Sequence, residues 1–291
     1  MLLSLLLCCP LVVNAFVSPK QLLSRKTKSI VAFGDSYTDY GVSDIYYEPT
    51  KSYYNKSKLQ IPVTLPKRWS DGHLWIEYLK EMMSAENIYD FARSGATVNN
   101  SIVPRSTQDL GEQVQAYSRF FNQAHIDTIH FIWIGLNDIH DIFQGRSNRY
   151  QIIIDEVNSS FYNSLSKLYE SKAKYMFVLN VIPLGDLPKF YTLSQAEKAH
   201  LDSMVRRYNA NLANVMHDLV AKRKNQGLHV YLYDAYGKFA DLCMNMTGSP
   251  SSCNRGSHCD NLVWWDDLHL TTKVHFALAS SVYKELLATG W

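Results

Sequence analysis

Short apolar runs, rich in β-branched and aromatic residues, alternate along the chain with longer amphipathic stretches. The runs are four to eight residues long and show no polar face, which is typical of strands buried on both sides of a sheet. They lie at 28–33, 88–91, 128–134, 174–181 and 228–233. We therefore expect a five-stranded parallel sheet.

Helical periodicity fills most of the segments between these runs, with apolar residues recurring every three or four positions. The predicted helices lie at 74–84, 110–122, 152–171, 194–224 and 272–287. Alternation of strand and helix predicts a doubly wound, three-layer α/β/α fold. In such folds the ligand crevice lies beyond the carboxyl ends of the strands. The turn that carries Ser36 and the loop that carries Asn137 are therefore expected to share one site.

Composition favours a single globular unit. The 291 residues are 46% hydrophobic and 19% charged, which is enough for one substantial core. The formal net charge is only +2, and the lysines and arginines are scattered along the chain rather than gathered in a stripe. Nucleic acid is therefore not an expected partner. We expect one domain over 16–291, acting as a monomer.

The first fifteen residues, MLLSLLLCCPLVVNA, form an apolar run that is too short to span a membrane as a helix. The run ends with Val13 and Ala15 at the small-residue positions that a signal peptidase prefers, although no basic segment precedes it. A buried helix or a membrane anchor is the alternative, but Pro10 and the shortness of the run argue against both. We predict a signal peptide at 1–15, secretion from the cell and no stable membrane association.

Sequons and cysteines fit a chain that passes through the secretory pathway. Candidate glycosylation sites of the form N-x-S/T lie at Asn55, Asn99, Asn158 and Asn245. Three cysteines remain after cleavage, at Cys243, Cys253 and Cys259. They allow one disulfide in an oxidising compartment and leave one cysteine over, and the pairing stays open. Because their spacing lacks a C-x-x-C pair, we expect no metal site.

Ser36 follows the first apolar run, in the turn Gly34-Asp35-Ser36. A turn at the end of a buried strand would present its hydroxyl above the edge of the sheet. A serine hydroxyl becomes an effective nucleophile at neutral pH only when a base takes its proton. Ser36 is therefore a candidate nucleophile, and the alternative is a serine that caps the next helix.

A matching base lies near the other end of the chain, in DDLH at 266–269. Residues three apart in a turn face the same way, so Asp266 can accept the proton on one ring nitrogen of His269 and leave the other free. Asp267 is the competing acid, but it points elsewhere if the segment is helical. In isolation this pattern is most often an exposed charge pair before a helix. Together with Ser36 it predicts a Ser–His–Asp triad.

Stabilisation of a developing oxyanion needs fixed hydrogen-bond donors. The backbone N–H of Ser36 can supply one of them. Gly95 lies in a loop after a strand, where backbone can approach a ligand closely, and Asn137 can add a side-chain amide. Each of these residues also has a plain reading as a turn residue. As a set they are the candidate oxyanion hole.

Four blocks occur in one order along the chain: FGDSYTDYG at 33–41, SGAT at 94–97, GLND at 135–138 and DDLH at 266–269. In order and rough spacing they resemble the GDSL, or SGNH, hydrolases over nearly the whole mature chain. The resemblance implies a flavodoxin-like α/β fold and a serine esterase without metal or organic cofactor. It places the nucleophile at Ser36, oxyanion donors at Gly95 and Asn137, and base and acid at His269 and Asp266.

Longer segments resemble fungal-type secreted members, including the acetylesterases of carbohydrate esterase family 16. Among them are KRWSDGHLWIEYL at 67–79 and WWDDLHLTTKVHFALA at 264–279, although Leu270 stands where many members have proline. The resemblance implies a small ester substrate, an acetylated oligosaccharide. Lipases and phospholipases share the four blocks, so a lipid-directed esterase is the alternative, and a silent carbohydrate-binding relative is a third.

Aromatic residues adjoin the predicted catalytic blocks. Aromatic faces stack on sugar rings or line acyl pockets, so we expect a substrate-binding role for Trp133, Trp264 and Trp265, with core packing as the alternative. The tyrosine-rich stretch 40–68 shows no periodicity and has the same two interpretations. Asp35 and Asp39 are expected to brace the turn around Ser36 through backbone hydrogen bonds rather than to bind a metal.

Overall fold

The computed structural model describes most of the chain and leaves some of the sequence predictions outside it. The described residues are 29–41, 68–121, 127–223, 226–244, 246–253, 255, 259 and 261–290. The predicted signal peptide at 1–15, nearly all of the tyrosine-rich stretch, and the sequons at Asn55 and Asn245 lie outside these residues.

Within the described residues, one sheet of five strands forms the centre of the molecule. Its strands are β1 (Ser29–Gly34), β2 (Asn87–Asp90), β3 (Thr128–Trp133), β4 (Tyr175–Leu179) and β5 (His229–Tyr233). All neighbours pair in parallel, in the order β2-β1-β3-β4-β5. Every residue of β1 and β3 is buried, as expected for strands covered on both faces. The predicted five-stranded parallel sheet is confirmed, and its strand order is flavodoxin-like.

Helices cover both faces of this sheet. They are α1 (Trp75–Met82), α2 (Leu110–Phe120), α3 (Leu136–Gln144), α4 (Tyr150–Glu170), α5 (Gln195–Lys222), α6 (Ala235–Leu242) and α7 (Thr272–Thr289). Helix α1 packs against α7, whereas α4 packs against both α2 and α5. Right-handed crossovers put these two groups on opposite faces, which confirms the three-layer α/β/α prediction. None of the helices in the described ranges is long and apolar enough to cross a membrane.

Some short elements were not predicted from the sequence. They are α3, α6, two 3₁₀ turns at Leu184–Asp186 and Pro188–Phe190, and a small sheet of β6 (Thr247–Ser252) and β7 (Leu262–Trp264). Helices α3 and α6 are nine and eight residues long, too short for a clear apolar period. The sequence of β6, TGSPSS, is rich in residues that disfavour strands.

The register of the sheet decides which loops become neighbours. Strand β1 lies between β2 and β3, with Ala32 opposite Asp90 and Gly34 opposite Trp133. Since all three strands run parallel, the loops that leave their carboxyl ends emerge side by side at one edge of the sheet. The segments that follow β1 and β2 carry Ser36 and Gly95, and β3 leads into the first turn of α3, which carries Asn137, so the fold assembles the candidate residues in one place.

Candidate active site

The turn around Ser36 is held by its own backbone and by two carboxylates. The backbone N–H groups of Thr38 and Asp39 donate to the Asp35 carbonyl at 3.0 and 2.9 Å. The Asp35 carboxylate accepts from the Tyr37 N–H at 3.0 Å, and that of Asp39 accepts from the Gly41 N–H at 2.9 Å. These bonds match the predicted bracing role of the two aspartates, and they fix the position of the Ser36 hydroxyl.

The residues predicted as a triad form one continuous chain of hydrogen bonds. The Nε2 atom of His269 lies 3.0 Å from the Ser36 hydroxyl. The opposite ring nitrogen, Nδ1, lies 2.9 Å from both carboxylate oxygens of Asp266. All three residues are buried, with 5–6% of their surface exposed. An imidazole whose Nδ1–H bonds a carboxylate presents a free, basic Nε2 to the hydroxyl, which is the arrangement that removes a proton during nucleophilic attack.

Asp266 is held in its ionised form. Burial by itself would raise its pKa, but the His269 ring and the backbone N–H groups of Leu268 and His269 outweigh it and lower the pKa to about 2. The neighbouring Asp267 is largely exposed and lies 3.5 Å from the Lys189 ammonium. Of the two aspartates, Asp266 is therefore the one in contact with the imidazole, and its orienting role stays a prediction.

The segment that carries His269 is anchored to distant parts of the chain. The Tyr37 hydroxyl donates to the Leu268 carbonyl at 2.6 Å, and the Ser70 hydroxyl donates to the Leu270 carbonyl at 3.0 Å. The Asp71 carboxylate accepts from the Thr272 N–H at 2.7 Å at the start of α7. Carbonyls on both sides of His269 are thereby held, and the imidazole is kept over Ser36.

Gly95 adopts a left-handed conformation, with φ of +81°. Glycine takes such values without the steric cost that other residues incur. Just before it, the N–H and the hydroxyl of Ser94 both donate to the Asp39 carboxylate at 2.8 Å. Asp39 therefore ties the turn of Ser36 to the loop of Gly95, and the two predicted backbone donors belong to one braced unit.

Asn137 lies in the first turn of α3, and its side chain is 3% exposed. Its amide nitrogen donates to the Ala96 carbonyl at 2.9 Å, which leaves one of its two amide hydrogens for a ligand. The next residue, Asp138, accepts from the Val98 N–H with both carboxylate oxygens at 3.1 Å. Burial raises the pKa of Asp138 to about 7, although the bond from Val98 lowers it. These contacts join α3 to the loop that carries Gly95.

The three predicted substrate-binding tryptophans lie in different environments. Trp133 is 4% exposed, and its indole N–H donates to the Asn180 carbonyl at 3.0 Å. Trp264 is 1% exposed and packs against Phe239. Burial of both rings argues against their predicted role, because neither can offer a face to a substrate. Trp265 keeps partial exposure and remains the candidate of the three.

Trp69 and Arg255 belong to the site but were not singled out in the sequence. The Trp69 ring stacks on the His269 imidazole, with centroids 4.7 Å apart and an interplanar angle of 26°, and meets Trp265 edge-on. The Arg255 guanidinium lies 5.4 Å from the Trp69 centroid and 3.6 Å from the Asp266 carboxylate. Trp69 stands in the RWSDG segment, yet no spacing rule links that segment to a histidine two hundred residues away.

The predictions about modification have mixed outcomes. Asn158 lies within α4, is 3% exposed and donates to the Ile154 carbonyl, so its burial contradicts its prediction as a glycan acceptor. The Asn99 amide donates to Ser160 at 3.0 Å and stays partly exposed.

One disulfide joins Cys253 to Cys259, and Cys243 is free. No cluster that could hold a metal ion occurs in the described part of the chain.

The family model of the GDSL-like Lipase/Acylhydrolase matches residues 30–282. The chain belongs to the GDSL-like lipase/acylhydrolase family and is an ester hydrolase. Similar proteins include an acetylesterase of Thermothelomyces thermophilus, 24% identical over 92% of this chain and 91% of the relative. An acetylesterase of Hypocrea jecorina is 20% identical over 89% of this chain and 88% of the relative.

Solved structures agree on the fold. The acetylxylan esterase Axe2 of Geobacillus stearothermophilus is similar with a TM-score of 0.51 and 13% identity, over 90% of this chain and 96% of that one. An α/β hydrolase, LAE5, from the metagenome of Lake Arreo has a TM-score of 0.50 and 17% identity, over 92% and 98% of the two chains. At such identities the likeness supports the α/β architecture alone.

Proposed function

We propose that this protein is a secreted acetylesterase whose single domain, 16–291, removes acetyl groups from plant cell-wall oligosaccharides. The observation that carries the proposal is the buried chain of hydrogen bonds from Ser36 through His269 to Asp266. A serine, an imidazole and a carboxylate in that order are the parts needed for acyl transfer through a covalent intermediate.

In the proposed reaction, the Ser36 hydroxyl attacks the ester carbonyl while His269 Nε2 takes the hydroxyl proton. The carbonyl oxygen becomes negatively charged and accepts hydrogen bonds from the backbone N–H groups of Ser36 and Gly95 and from the Asn137 amide. The tetrahedral intermediate collapses, His269 returns the proton to the departing alcohol, and an acyl-enzyme remains. Water, activated by the same imidazole, then releases the acid.

Asp266 serves this scheme by remaining ionised at every step. Its lowered pKa, about 2, means that it stays negative while the imidazole becomes positive. A carboxylate bonded to Nδ1 keeps the ring in the correct tautomer and stabilises the imidazolium. Ser36, His269 and the three donors supply all the acid–base and electrostatic steps, so the scheme uses no metal or organic cofactor.

The substrate part of the proposal is supported by the relatives and by the rim of the site. Two relatives are described as acetylesterases and one structural neighbour as an acetylxylan esterase. Trp69 and Trp265 are partly exposed beside His269, where aromatic faces can stack on the sugar that forms the leaving alcohol. Secretion is supported by the apolar run at 1–15 and by the disulfide Cys253–Cys259.

The test compares ester hydrolysis by the purified protein with that by Ser36→Ala. We expect p-nitrophenyl acetate to be preferred over butyrate and long-chain esters, with acetate released from acetylated xylo-oligosaccharides. Ser36→Ala is expected to lower kcat by about 10³-fold or more without loss of thermal stability, since only the nucleophile is removed. Near-normal turnover by the variant would overturn the role of Ser36. A preference for long acyl chains would instead indicate a lipase, and inactivity on every ester would indicate a silent binding protein.

A further inference from the structure

Arg105 makes a set of contacts that the proposed reaction does not yet use. Its Nη1 atom donates to the Gly95 carbonyl at 3.2 Å. Its Nε and Nη2 atoms bind the two carboxylate oxygens of Asp141, each at 2.7 Å. The guanidinium is a rigid, planar fork, so a bidentate carboxylate on one side determines where the remaining N–H group points. Asp141 thus aims Arg105 at the carbonyl of Gly95.

That carbonyl belongs to the residue whose N–H is proposed to bind the oxyanion. On the N-terminal side of this N–H, Ser94 is fixed by the Asp39 carboxylate. On the C-terminal side, Arg105 provides the bond to Gly95. Glycine rotates more freely about its backbone bonds than any other residue, so its N–H keeps one direction only if both flanking peptides are held. Arg105 adds a side-chain restraint to the second of these peptides, whose N–H, that of Ala96, also donates to the Arg93 carbonyl at 2.9 Å.

Asp141 links the same contact to the other predicted donor. It lies four residues after Asn137 in α3, one turn along the helix. Arg105 therefore bridges the loop of Gly95 to the helix that carries the Asn137 amide. The Asn137–Ala96 and Asp138–Val98 bonds join the same two elements, but neither of them contacts Gly95.

We propose that Arg105 is a positioning residue that sets the geometry of the oxyanion hole, by holding Gly95 and coupling it through Asp141 to α3. The proposal rests on the proposed function, because it assumes that an oxyanion forms beside Ser36. The guanidinium is also a permanent positive charge. It lowers the pKa of both Asp35 and Asp138, whose buried carboxyls flank the site. Because Asp141 pairs with the same guanidinium, the restraint on Gly95 rather than net charge carries the proposal.

A positioning role differs in its consequences from a purely structural ion pair. Loss of a structural pair lowers stability and affects kcat and KM only when the protein unfolds. Loss of an oxyanion restraint weakens binding of the transition state more than binding of the substrate, so kcat falls while KM changes little. A boronic acid distinguishes the two cases, because its adduct with the Ser36 hydroxyl carries the negative charge of the tetrahedral state.

The experiment uses Arg105→Lys and Arg105→Ala in the full chain, with Arg207→Ala as the matched control. Arg207 forms a similar bidentate pair with Asp155, which joins helix α5 to helix α4 rather than to the loop of Gly95. For both Arg105 variants we expect kcat on p-nitrophenyl acetate to fall by about 10²-fold, with KM changed less than about threefold. The inhibition constant for methylboronic acid should rise by a similar factor. The control should retain both values.

Chemical rescue provides the second measurement. Millimolar guanidinium chloride is expected to restore part of the lost kcat in Arg105→Ala, since the ion can occupy the space between Asp141 and the Gly95 carbonyl. It should not restore activity to Ser36→Ala. Thermal melting of each variant shows whether the loss reflects unfolding, and Asp141→Asn, which keeps the size of the side chain, should reproduce the kcat defect in a folded protein.

The outcomes distinguish a failure of the role of Arg105 from a failure of the proposed function. If the wild-type protein neither hydrolyses esters nor binds methylboronic acid, the proposed function fails and the role of Arg105 fails with it. If the wild-type protein does both, and folded Arg105→Lys, Arg105→Ala and Asp141→Asn keep normal kcat and boronic acid affinity, only the role of Arg105 is overturned. A loss of kcat without weaker boronic acid binding would equally contradict it.

Discussion

Trp69 lies face to face with the imidazole of His269, with the ring centroids 4.7 Å apart. In the proposed reaction this imidazole becomes an imidazolium whenever it holds the serine proton. A cation over an indole face is stabilised by about 1 kcal/mol or more when partly shielded from water. The stack therefore favours the charged intermediate as well as the orientation of the ring.

Removal of that aromatic face is expected to slow the reaction. Trp69→Leu should lower kcat by about 10-fold, the equivalent of about 1.4 kcal/mol, whereas Trp69→Phe, which keeps a smaller ring, should lose less. Steady-state kinetics of the two variants at one pH provide the measurement, with thermal melting as the check on folding. Equal kcat for wild type and the leucine variant would show that the stack is only packing.

The buried carboxyl of Asp35 is expected to make the free energy of unfolding depend on pH. Burial raises the pKa of this carboxyl from 3.8 to about 7, although the Tyr37 N–H and Arg105 lower it. Between pH 4 and 7 the folded protein then keeps a proton that the unfolded chain releases, so the free energy of unfolding falls as pH rises. One such group contributes up to about 1.4 kcal/mol per pH unit.

Asp35→Asn removes this ionisation and keeps an oxygen to accept the Tyr37 N–H. We expect the variant to lose less stability than wild type as pH rises from 4 to 7. Part of the slope should remain, because burial also raises the pKa of Asp138 to about 7. Urea unfolding at several pH values measures both curves. Parallel curves over this range would mean that Asp35 titrates as an ordinary exposed carboxyl.

At the scale of single residues, the sequence predicted the members of the proposed triad better than their surroundings. Ser36, Asp266 and His269 stand in short motifs whose chemistry is recognisable, and the structure brings them into hydrogen-bond contact. Arg105 contacts Gly95, ten residues before it, and Trp69 contacts His269, two hundred residues after it. No spacing rule reveals such contacts. Burial likewise separates Trp133 and Trp264, for which it favours core packing, from Trp265, and burial of one side chain depends on the whole fold.

Helix α3 is the element on which the geometry of the site most depends, since it carries Asn137 and Asp141. It begins directly after Gly135, whose φ is +120°. A Cβ atom at this position would overlap the ring of Tyr208, whose hydroxyl donates to the Ile134 carbonyl at 3.1 Å. The start of the helix is therefore pressed against α5 at a point where only glycine fits.

Gly135→Ala is expected to destabilise the protein by at least about 2 kcal/mol, because it combines a strained φ with overlap in a packed core. Any folded fraction should show reduced kcat, since relief of the overlap shifts Asn137. Gly185→Ala is the matched control, as a Cβ at Gly185 meets nothing within 4 Å. Urea unfolding and kinetics of both variants test this. Comparable stability of the two variants would show that Tyr208 moves aside without cost.

The accuracy of the predicted elements followed from their length and burial. Strands such as β1 and β3, which are buried throughout, left an unmistakable apolar run in the sequence. The sequence does not reveal helix α3, because its nine residues begin inside the GLND block, whose Gly, Asn and Asp are typical of a loop. Helix α6 contains Gly237, a poor helix former, whose N–H donates to the side chain of the N-cap residue Asp234 at 2.9 Å.

For the whole molecule, the alternation of strands and helices was enough to predict the layers, since few topologies satisfy right-handed crossovers around a parallel sheet. The meeting of Ser36 with His269, 233 residues later, could be expected from the complementary chemistry of their two motifs and from the resemblance to a family, but not from periodicity or spacing. Physically it depends on α7 packing against α1 and on anchors such as the Tyr37–Leu268 bond. Such long-range contacts form only when the sheet and both helices are in place.

This separation along the chain has a practical consequence. If the backbone were cut in the turn at Lys172, between α4 and β4, one fragment would hold Ser36, Gly95 and Asn137, and the other Asp266 and His269. Neither fragment has a complete reaction centre, so ester hydrolysis would require both in one assembly. The two fragments would therefore work as a split-enzyme reporter. Release of a coloured alcohol from its ester would show that any two proteins fused to the fragments have met.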